Sequence, residues 1–297
     1  MVPNRTVGQV IALMKQQLDD IYEIRELNSI VDLILGDYLG QPRITFRSDP
    51  DLSVSGEVVS RVQRAIHQLK QHVPVQYILG KAHFYELDFI VNEQVLIPRQ
   101  ETGELVKWIL DDHSAADNAH FVKILDIGTG SGCIAIALKR NIPDSMIAAL
   151  DISQQALDIA RLNAQTLKSD VQFVQTDILN PDQWDFPSSF DVIVSNPPYV
   201  LQSDKAWMGL NVLDHEPALA LFVEDERPLI FYEAIVSFAL RYLSPGGNIY
   251  LEVNERMGSQ VCGLFRSAGY QETILRRDIH DKIRMIRVGG REGTVRG

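Results

Sequence analysis

Buried strands and amphipathic helices alternate along the chain after residue 120. Helical stretches separate apolar runs typical of buried strands, at 122–126, 146–150, 171–174, 190–194, 248–253 and 283–288. Strands joined through helices run parallel and are covered on both faces, so this order predicts a doubly wound α/β sheet. Ligands of such folds bind beyond the carboxyl ends of the strands, which makes the residues after each strand the candidate site. We interpret 283–288 as an edge strand.

The first 75 or so residues have a different pattern. Apolar residues recur at steps of three and four between 7 and 21, 27 and 35, and 58 and 69, which predicts a small α-helical bundle. Strand-like alternation around Asn92-Glu93 then predicts a β-hairpin. We expect a helical domain that binds a macromolecular substrate, a hairpin linker and an α/β domain. Their predicted ranges are 1–80, 81–98 and 99–297.

Composition narrows the classes of partner. The net charge of −11 argues against binding to nucleic-acid phosphates, which requires clustered lysine and arginine. Only two cysteines, Cys133 and Cys262, and an N-terminus without a signal-peptide pattern predict a cytoplasmic protein. No run approaches the ~18 apolar residues of a membrane span. The seven histidines lack metal-ligand spacing, so we expect no metal site.

A glycine-rich segment, Asp-Ile-Gly-Thr-Gly-Ser-Gly, spans 126–132 where the first strand meets its helix. Glycine permits unusual backbone angles and close approach of a ligand. The third glycine comes one residue earlier than the dinucleotide fingerprint requires, and Cys133 fills the expected position. The segment resembles the S-adenosylmethionine loop of class I methyltransferases, with a nicotinamide cofactor as the alternative. The cofactor-binding residues expected here are Gly128, Thr129, Gly130, Ser131 and Gly132.

Acidic residues follow the next two strands. Asp151 ends the second strand, where a carboxylate can accept hydrogen bonds from both hydroxyls of a ribose. The alternative is that it caps the helix beginning near Ser153. Asp177 and Ile178 end the third strand and could contact an adenine amino group and ring, or could form a simple turn.

Asn196-Pro197-Pro198-Tyr199 follows the fourth strand. Proline fixes φ and removes a backbone donor, so the turn is stiff and its carbonyl acceptors are free. Such a turn suits a site that holds an amide or amine in one orientation. The alternative is a plain turn without chemistry.

These motifs, in this order, resemble those of methyltransferases that act on planar nitrogens, including DNA adenine, ribosomal guanine and protein-glutamine enzymes. The segments 74–80, 84–102 and 216–221, together with Arg284, resemble the peptide chain release factor glutamine methyltransferase family over nearly the whole chain. The related ribosomal-protein enzyme tends to have Pro-Arg-Ser-Pro at 98–101. The chain departs from the family pattern at Gln100, Gly103, His215 and 224–228, which concerns the substrate-side loops.

The resemblance implies a seven-stranded, mainly parallel class I sheet, S-adenosylmethionine as methyl donor, and the glutamine of the Gly-Gly-Gln motif as acceptor. It implies that the Asn196 side-chain oxygen and the Pro197 carbonyl accept the two amide hydrogens, beside the cofactor. Pro198 and Tyr199 complete the substrate site, with Tyr199 against the amide plane. The expected partners are release factors, with no direct nucleic acid and no membrane, and the protein is expected to be a monomer. A nucleic-acid amino methyltransferase, a ribosomal-protein glutamine methyltransferase and a non-catalytic module remain alternatives.

Overall fold

The computed structural model describes residues 3–114 and 122–291. They form two compact units, Met1–Lys81 with Gly209–His215, and Ala82–Met208 with Glu216–Gly297. The helical bundle and residues 209–215 belong to the first unit, and most of the hairpin belongs to the second unit with the sheet. The domain boundaries drawn from the sequence stay a prediction.

The first unit is helical. Thr6 and Gln9 form a capping box at the start of its first helix, in which each backbone N–H donates to the other side chain. Val10, Met14 and Ile34 are among the fully buried residues of its core. Its helices are α1 (Val7–Leu18), α2 (Ile24–Leu39), α3 (Arg43–Ser48), α4 (Gly56–Leu69), α5 (Val75–Leu79) and α9 (Leu210–Leu213), and β1 (Arg5–Thr6) pairs with β2 (Ser53–Val54).

The second unit contains the predicted sheet. The hairpin is β3 (Lys81–Phe84) and β4 (Leu87–Ile90), and the sheet strands are β5 (Lys123–Ile127), β6 (Met146–Asp151), β7 (Gln172–Gln175), β8 (Phe190–Ser195), β11 (Leu243–Glu252), β12 (Glu272–Arg277) and β13 (Ile283–Gly289). Their order is β12-β13-β11-β8-β5-β6-β7, and all neighbours are parallel except those of β13. The doubly wound, mainly parallel seven-stranded fold is therefore confirmed.

Helices connect the strands, since parallel strands need crossover connections. They are α6 (Gln100–Ser114), α7 (Cys133–Asn141), α8 (Gln154–Thr166), α10 (Ala218–Leu221), α11 (Ile230–Tyr242) and α12 (Gly258–Ser267), with 3₁₀ turns at Pro181–Gln183 and Gln202–Trp207. A short parallel pair, β9 (Val200–Leu201) and β10 (Phe222–Val223), lies outside the main sheet. In the described parts of the chain, no helix has the length and apolar character needed to cross a bilayer.

One strand prediction is wrong. The run 283–288 lies inside the sheet rather than at its edge, because β13 pairs with β11 on one side and with β12 on the other. The edge strand β12 carries Arg276 and Arg277 and is partly exposed throughout, so it lacks the continuous apolar run of a buried strand. Sequence reasoning therefore missed the pairing of β13 with β12.

Two side chains fix the region where β5, β6 and β8 end. The Ser195 hydroxyl donates to the Ile127 carbonyl at 2.7 Å and joins the ends of β8 and β5. The buried Asn163 side chain of α8 accepts from the Ile90 N–H and donates to the carbonyls of Ile90 and Ser131. It thereby connects the hairpin to the segment after β5.

Candidate active site

The glycine segment forms a tight loop after β5. Gly128 and Gly130 have φ of +72° and +54°, and a Cβ atom on either would meet no atom of the described residues within 4 Å. Glycine is therefore required by the backbone angle, and the space beside it is open. Gly132 (φ +81°) is different, because a Cβ there would lie 3.0 Å from Ile136 and 3.2 Å from Ala160. The third glycine thus permits α8 to pack against the start of α7.

A buried carboxylate supports this loop. Asp126 is 0% exposed, and one of its oxygens accepts from the Thr129 hydroxyl at 2.6 Å and the Ala135 N–H at 3.3 Å. Among the residues that the structure describes, the other oxygen has no hydrogen-bond partner, and neither does the buried Ser131 hydroxyl. Burial raises the pKa of Asp126 from 3.8 to about 7, against the effect of the Thr129 hydrogen bond. Sequence reasoning missed the supporting role of Asp126, although a charged residue flanked by apolar residues within a strand was the available signal.

Asp151 accepts two backbone hydrogen bonds at the end of β6. One carboxylate oxygen accepts from the Gly130 N–H and the other from the Ser153 N–H, both at 2.9 Å. The residue therefore helps to start α8 and holds the glycine loop at the same time. Each oxygen has a further lone pair, so the carboxylate can still accept from a ligand. Burial raises the pKa of Asp151, while these backbone donors act in the opposite direction.

A cavity of about 310 Å³ lies at the ends of β5, β6, β7 and β8. The expected residues that line it are Gly128, Gly130, Asp151, Asp177, Ile178, Asn196, Pro197 and Pro198. Thr129, Ser131, Gly132 and Tyr199 are not among the lining residues. The Asp177 carboxylate also accepts from the Leu179 N–H at 2.8 Å, so a strand-end turn is present beside the cavity.

The cavity offers three kinds of contact. Asp151 provides an acceptor for hydroxyl groups, and Leu150 and Ile178 provide apolar surface for a flat ring. The open backbone at Gly128 and Gly130 can approach a ligand tail closely. A donor with an adenosine part and an amino-acid tail fits this set, whereas a phosphate next to Asp151 would be repelled.

The Asn196 turn is anchored through its side chains. Asn196 Nδ2 donates to Thr102 Oγ1 at 3.1 Å, and the Thr102 hydroxyl donates to Glu252 Oε2 at 2.7 Å. The Tyr199 hydroxyl donates to Glu252 Oε1 at 2.7 Å. Asn196 Oδ1 accepts no hydrogen bond from the residues that the structure describes, so it is an available acceptor.

Glu252, the last residue of β11, is 2% exposed. Burial raises its pKa, while the hydroxyls of Tyr199 and Thr102 and the charge of Arg284 act in the opposite direction. Burial, and then the charge of Glu252, raise the pKa of Tyr199 well above its usual value. The Tyr199 hydroxyl therefore stays protonated and is not a base. Sequence reasoning missed Thr102 and Glu252 as site residues, although an acid ending an apolar strand was the visible signal.

An ion pair joins two segments that contribute residues to the cavity. The buried Glu216 carboxylate accepts from Arg99 Nη2 at 2.5 Å and from the Ile97 N–H at 3.2 Å. These contacts join the segments 84–102 and 216–221, which both resemble the release factor glutamine methyltransferase family. Val95, Leu96, Pro217, Leu219 and Ala220 from these segments line the cavity.

The sheet order and the cavity beyond its strand ends define a class I methyltransferase. Residues 110–213 match the family model described as Methyltransferase small domain, and residues 9–80 match that of the PrmC N-terminal domain. A release factor glutamine methyltransferase of Flavobacterium psychrophilum is 41% identical over 93% of this chain and 96% of its own. One of Bacteroides thetaiotaomicron is 40% identical over 94% and 99%. The chain belongs to the release factor glutamine methyltransferase family.

A solved structure supports the fold alone. The N-terminal domain of human METTL16 in complex with SAH aligns with a TM-score of 0.52 at 16% identity, covering 70% of this chain and 77% of that domain. The methyltransferase fold is thus shared with a protein of very different sequence.

Proposed function

We propose that this protein transfers a methyl group from S-adenosylmethionine to the side-chain amide nitrogen of the glutamine in the Gly-Gly-Gln motif of peptide chain release factors. The observation that carries the proposal is the free acceptor Oδ1 of Asn196, held at the cavity in a stiff turn. The two relatives above carry the name of this activity over nearly the full chain.

The methyl donor fits the residues around the cavity. We expect Asp151 to accept from its ribose hydroxyls, Ile178 to contact the adenine ring and the 128–132 loop to hold the amino-acid tail. When bound, S-adenosylmethionine supplies an electrophilic methyl group on a sulfonium.

The turn supplies the acceptors for the substrate amide. An amide nitrogen is a poor nucleophile because its lone pair is delocalised into the carbonyl. Asn196 Oδ1 and the Pro197 carbonyl are proposed to accept its two hydrogens, which directs the nitrogen toward the cavity. Holding two reactants in attack geometry can contribute ~7–11 kcal/mol. Acceptors fixed in advance also stabilise the positive charge that develops on nitrogen.

Proton removal needs no strong base in this arrangement. An amide nitrogen that has gained a methyl group is positively charged and strongly acidic, so it releases a proton to water readily. Tyr199 is held as a phenol beside Glu252, and its ring is proposed to pack against the amide plane. We further propose that the protein acts in the cytoplasm, because release factors act on ribosomes there. We also propose that it is a monomer, which sedimentation would test.

Mass spectrometry of a release factor incubated with the protein and S-adenosylmethionine tests the proposal. One added methyl group on the Gly-Gly-Gln glutamine is expected, with none on a release factor that has alanine at that position. Parallel reactions with DNA, ribosomal RNA and ribosomal proteins are the controls. Methyl transfer to one of these and not to the release factor would contradict the proposed substrate.

A further inference from the structure

The Asn196 amide can face the substrate in two ways. Oxygen and nitrogen have nearly the same shape at its end, so its hydrogen-bond partners decide which one points to the cavity. Only the oxygen can accept a hydrogen from a substrate amide. A nitrogen in that position would donate toward another donor and repel it. The activity proposed above therefore depends on what holds the opposite end of this side chain.

Thr102 is the hydrogen-bond partner of the Asn196 side chain at the end away from the substrate, and its hydroxyl has one hydrogen to donate. Its Oγ1 lies 2.7 Å from Glu252 Oε2 and 3.1 Å from Asn196 Nδ2. A carboxylate can only accept, so the hydroxyl hydrogen goes to Glu252. The remaining lone pairs of Oγ1 face Asn196 and can only accept, which selects the nitrogen end of the amide.

Glu252 gives this chain of hydrogen bonds its direction. It is buried, and its second oxygen accepts from the Tyr199 hydroxyl, which leaves the carboxylate bound on both sides by donors. The Arg284 guanidinium lies 3.5 Å from that hydroxyl and 3.3 Å from Asp278, so positive charge lies next to the carboxylate. A neutral amide at 252 could donate to Thr102 and reverse the direction.

We propose that Thr102 and Glu252 are positioning residues that orient the Asn196 amide, so that its oxygen faces the substrate nitrogen. Neither touches the reacting atoms; both act through Asn196. This inference rests on the proposed glutamine methylation and adds the residues that prepare its acceptor.

The Thr102 hydroxyl is tested by comparing Thr102→Val with Thr102→Ser. Valine has nearly the shape of threonine but no hydroxyl, whereas serine keeps the hydroxyl. We expect Thr102→Val to lower kcat at least about ten-fold, since an aimed polar group is lost. KM for the release factor and Kd for S-adenosylmethionine should stay within about three-fold, and Thr102→Ser should keep kcat within about three-fold.

Ser145→Ala is the matched control. Ser145 is buried and its hydroxyl donates to the Ile142 carbonyl at 2.6 Å, at the opposite end of β6 from the cavity. Its loss should lower stability without changing kcat. Turnover by Thr102→Val equal to that of Thr102→Ser would overturn the proposal. If valine disturbs folding, Thr102→Ala makes the same comparison with serine.

Two further readouts separate orientation from general damage. Glu252→Gln and Thr102→Val both disturb the orientation of Asn196, so the double variant should lose less turnover than the product of the two single losses; fully multiplying losses would contradict the proposal. In nitrogen-15 NMR spectra, one Asn196 side-chain amide proton should be protected from exchange in the wild type and lose protection in Thr102→Val. Unchanged protection would overturn the proposal. This measurement needs no turnover, so it distinguishes failure of the orientation from failure of the proposed activity.

Discussion

At the scale of single residues, Asp151 joins cofactor binding to local structure. Its two oxygens accept from Gly130 and Ser153, and it lines the cavity. Asp151→Ala should raise Kd for S-adenosylmethionine at least about ten-fold, because hydrogen bonds to a charged acceptor are worth ~1.5–3 kcal/mol each. Isothermal titration calorimetry of both proteins measures this Kd. Asp158→Ala, an exposed change on α8, is the control, and equal affinities of the two variants would contradict the assignment.

Asp126 makes the stability of the protein without cofactor depend on pH. Its pKa is raised to about 7 in the folded state, so between about pH 4 and pH 7 the folded chain keeps a proton that the unfolded chain has lost. The contribution of this group to stability is thus complete below about pH 4 and falls as pH rises toward 7. The variant Asp126→Asn has no titrating group at this position, so its stability lacks this dependence on pH.

Urea unfolding of both proteins checks this contribution. The free energy of unfolding of the wild type, relative to that of Asp126→Asn, should fall by about 3 kcal/mol between about pH 4.5 and about pH 7. A difference that stays constant with pH would contradict the raised pKa. The comparison with the variant removes the contributions of Glu252 and Asp151, whose pKa values are also raised.

The site residues that sequence could predict are those that follow strands. Asp151 and Asn196 come directly at the ends of apolar runs, and parallel strands bring their carboxyl ends together. Thr102 and Glu252 could not be assigned in this way. Their hydrogen bond joins residues 150 positions apart, and it depends on how α6 packs beside β11.

At the scale of elements, Gly132 controls how closely α8 approaches the loop. Gly132→Ala places a methyl group 3.0 Å from Ile136 and 3.2 Å from Ala160, at a φ that costs other residues ~1–2 kcal/mol. We expect a loss of about 2 kcal/mol or more in unfolding free energy, since overpacking adds to the backbone cost.

Gly263→Ala is the matched control for this change. Gly263 lies within α12, and within the part of the chain that the structure describes a Cβ there would have no neighbour closer than 4 Å. Alanine should leave stability unchanged or raise it by about 0.5–1 kcal/mol, because glycine is a poor helix former. Urea unfolding measures both variants, and an equal effect of the two would contradict the close packing at Gly132.

Sequence predicted buried elements better than exposed ones. The strands β5, β6 and β8 are buried on both faces and appear as continuous apolar runs, so their positions were found. The edge strand β12 alternates partly buried and exposed residues and was missed. Because its partner β13 was then left unpaired on one side, β13 was wrongly placed at the edge.

At the scale of the whole molecule, the helical unit and the sheet unit were both visible in the change of hydrophobic period. Sequence did not show that residues 209–215 group with the helical unit, because this grouping depends on contacts distant in sequence. The expected role of the bundle in binding a release factor stays a prediction. The family match of residues 9–80 shows that the bundle is a recognised part of this protein class.

The most direct test measures where the methyl group is placed and how far its transfer depends on Asn196. Tandem mass spectrometry would follow the methylation of an intact release factor by the wild type and by Asn196→Ala, with calorimetry of S-adenosylmethionine binding for both. We expect the wild type to place one methyl group on the Gly-Gly-Gln glutamine nitrogen. Asn196→Ala should react at least about 100-fold more slowly while keeping its affinity for the donor within about three-fold. Methylation at another residue, or equal loss of turnover and donor binding, would contradict the account.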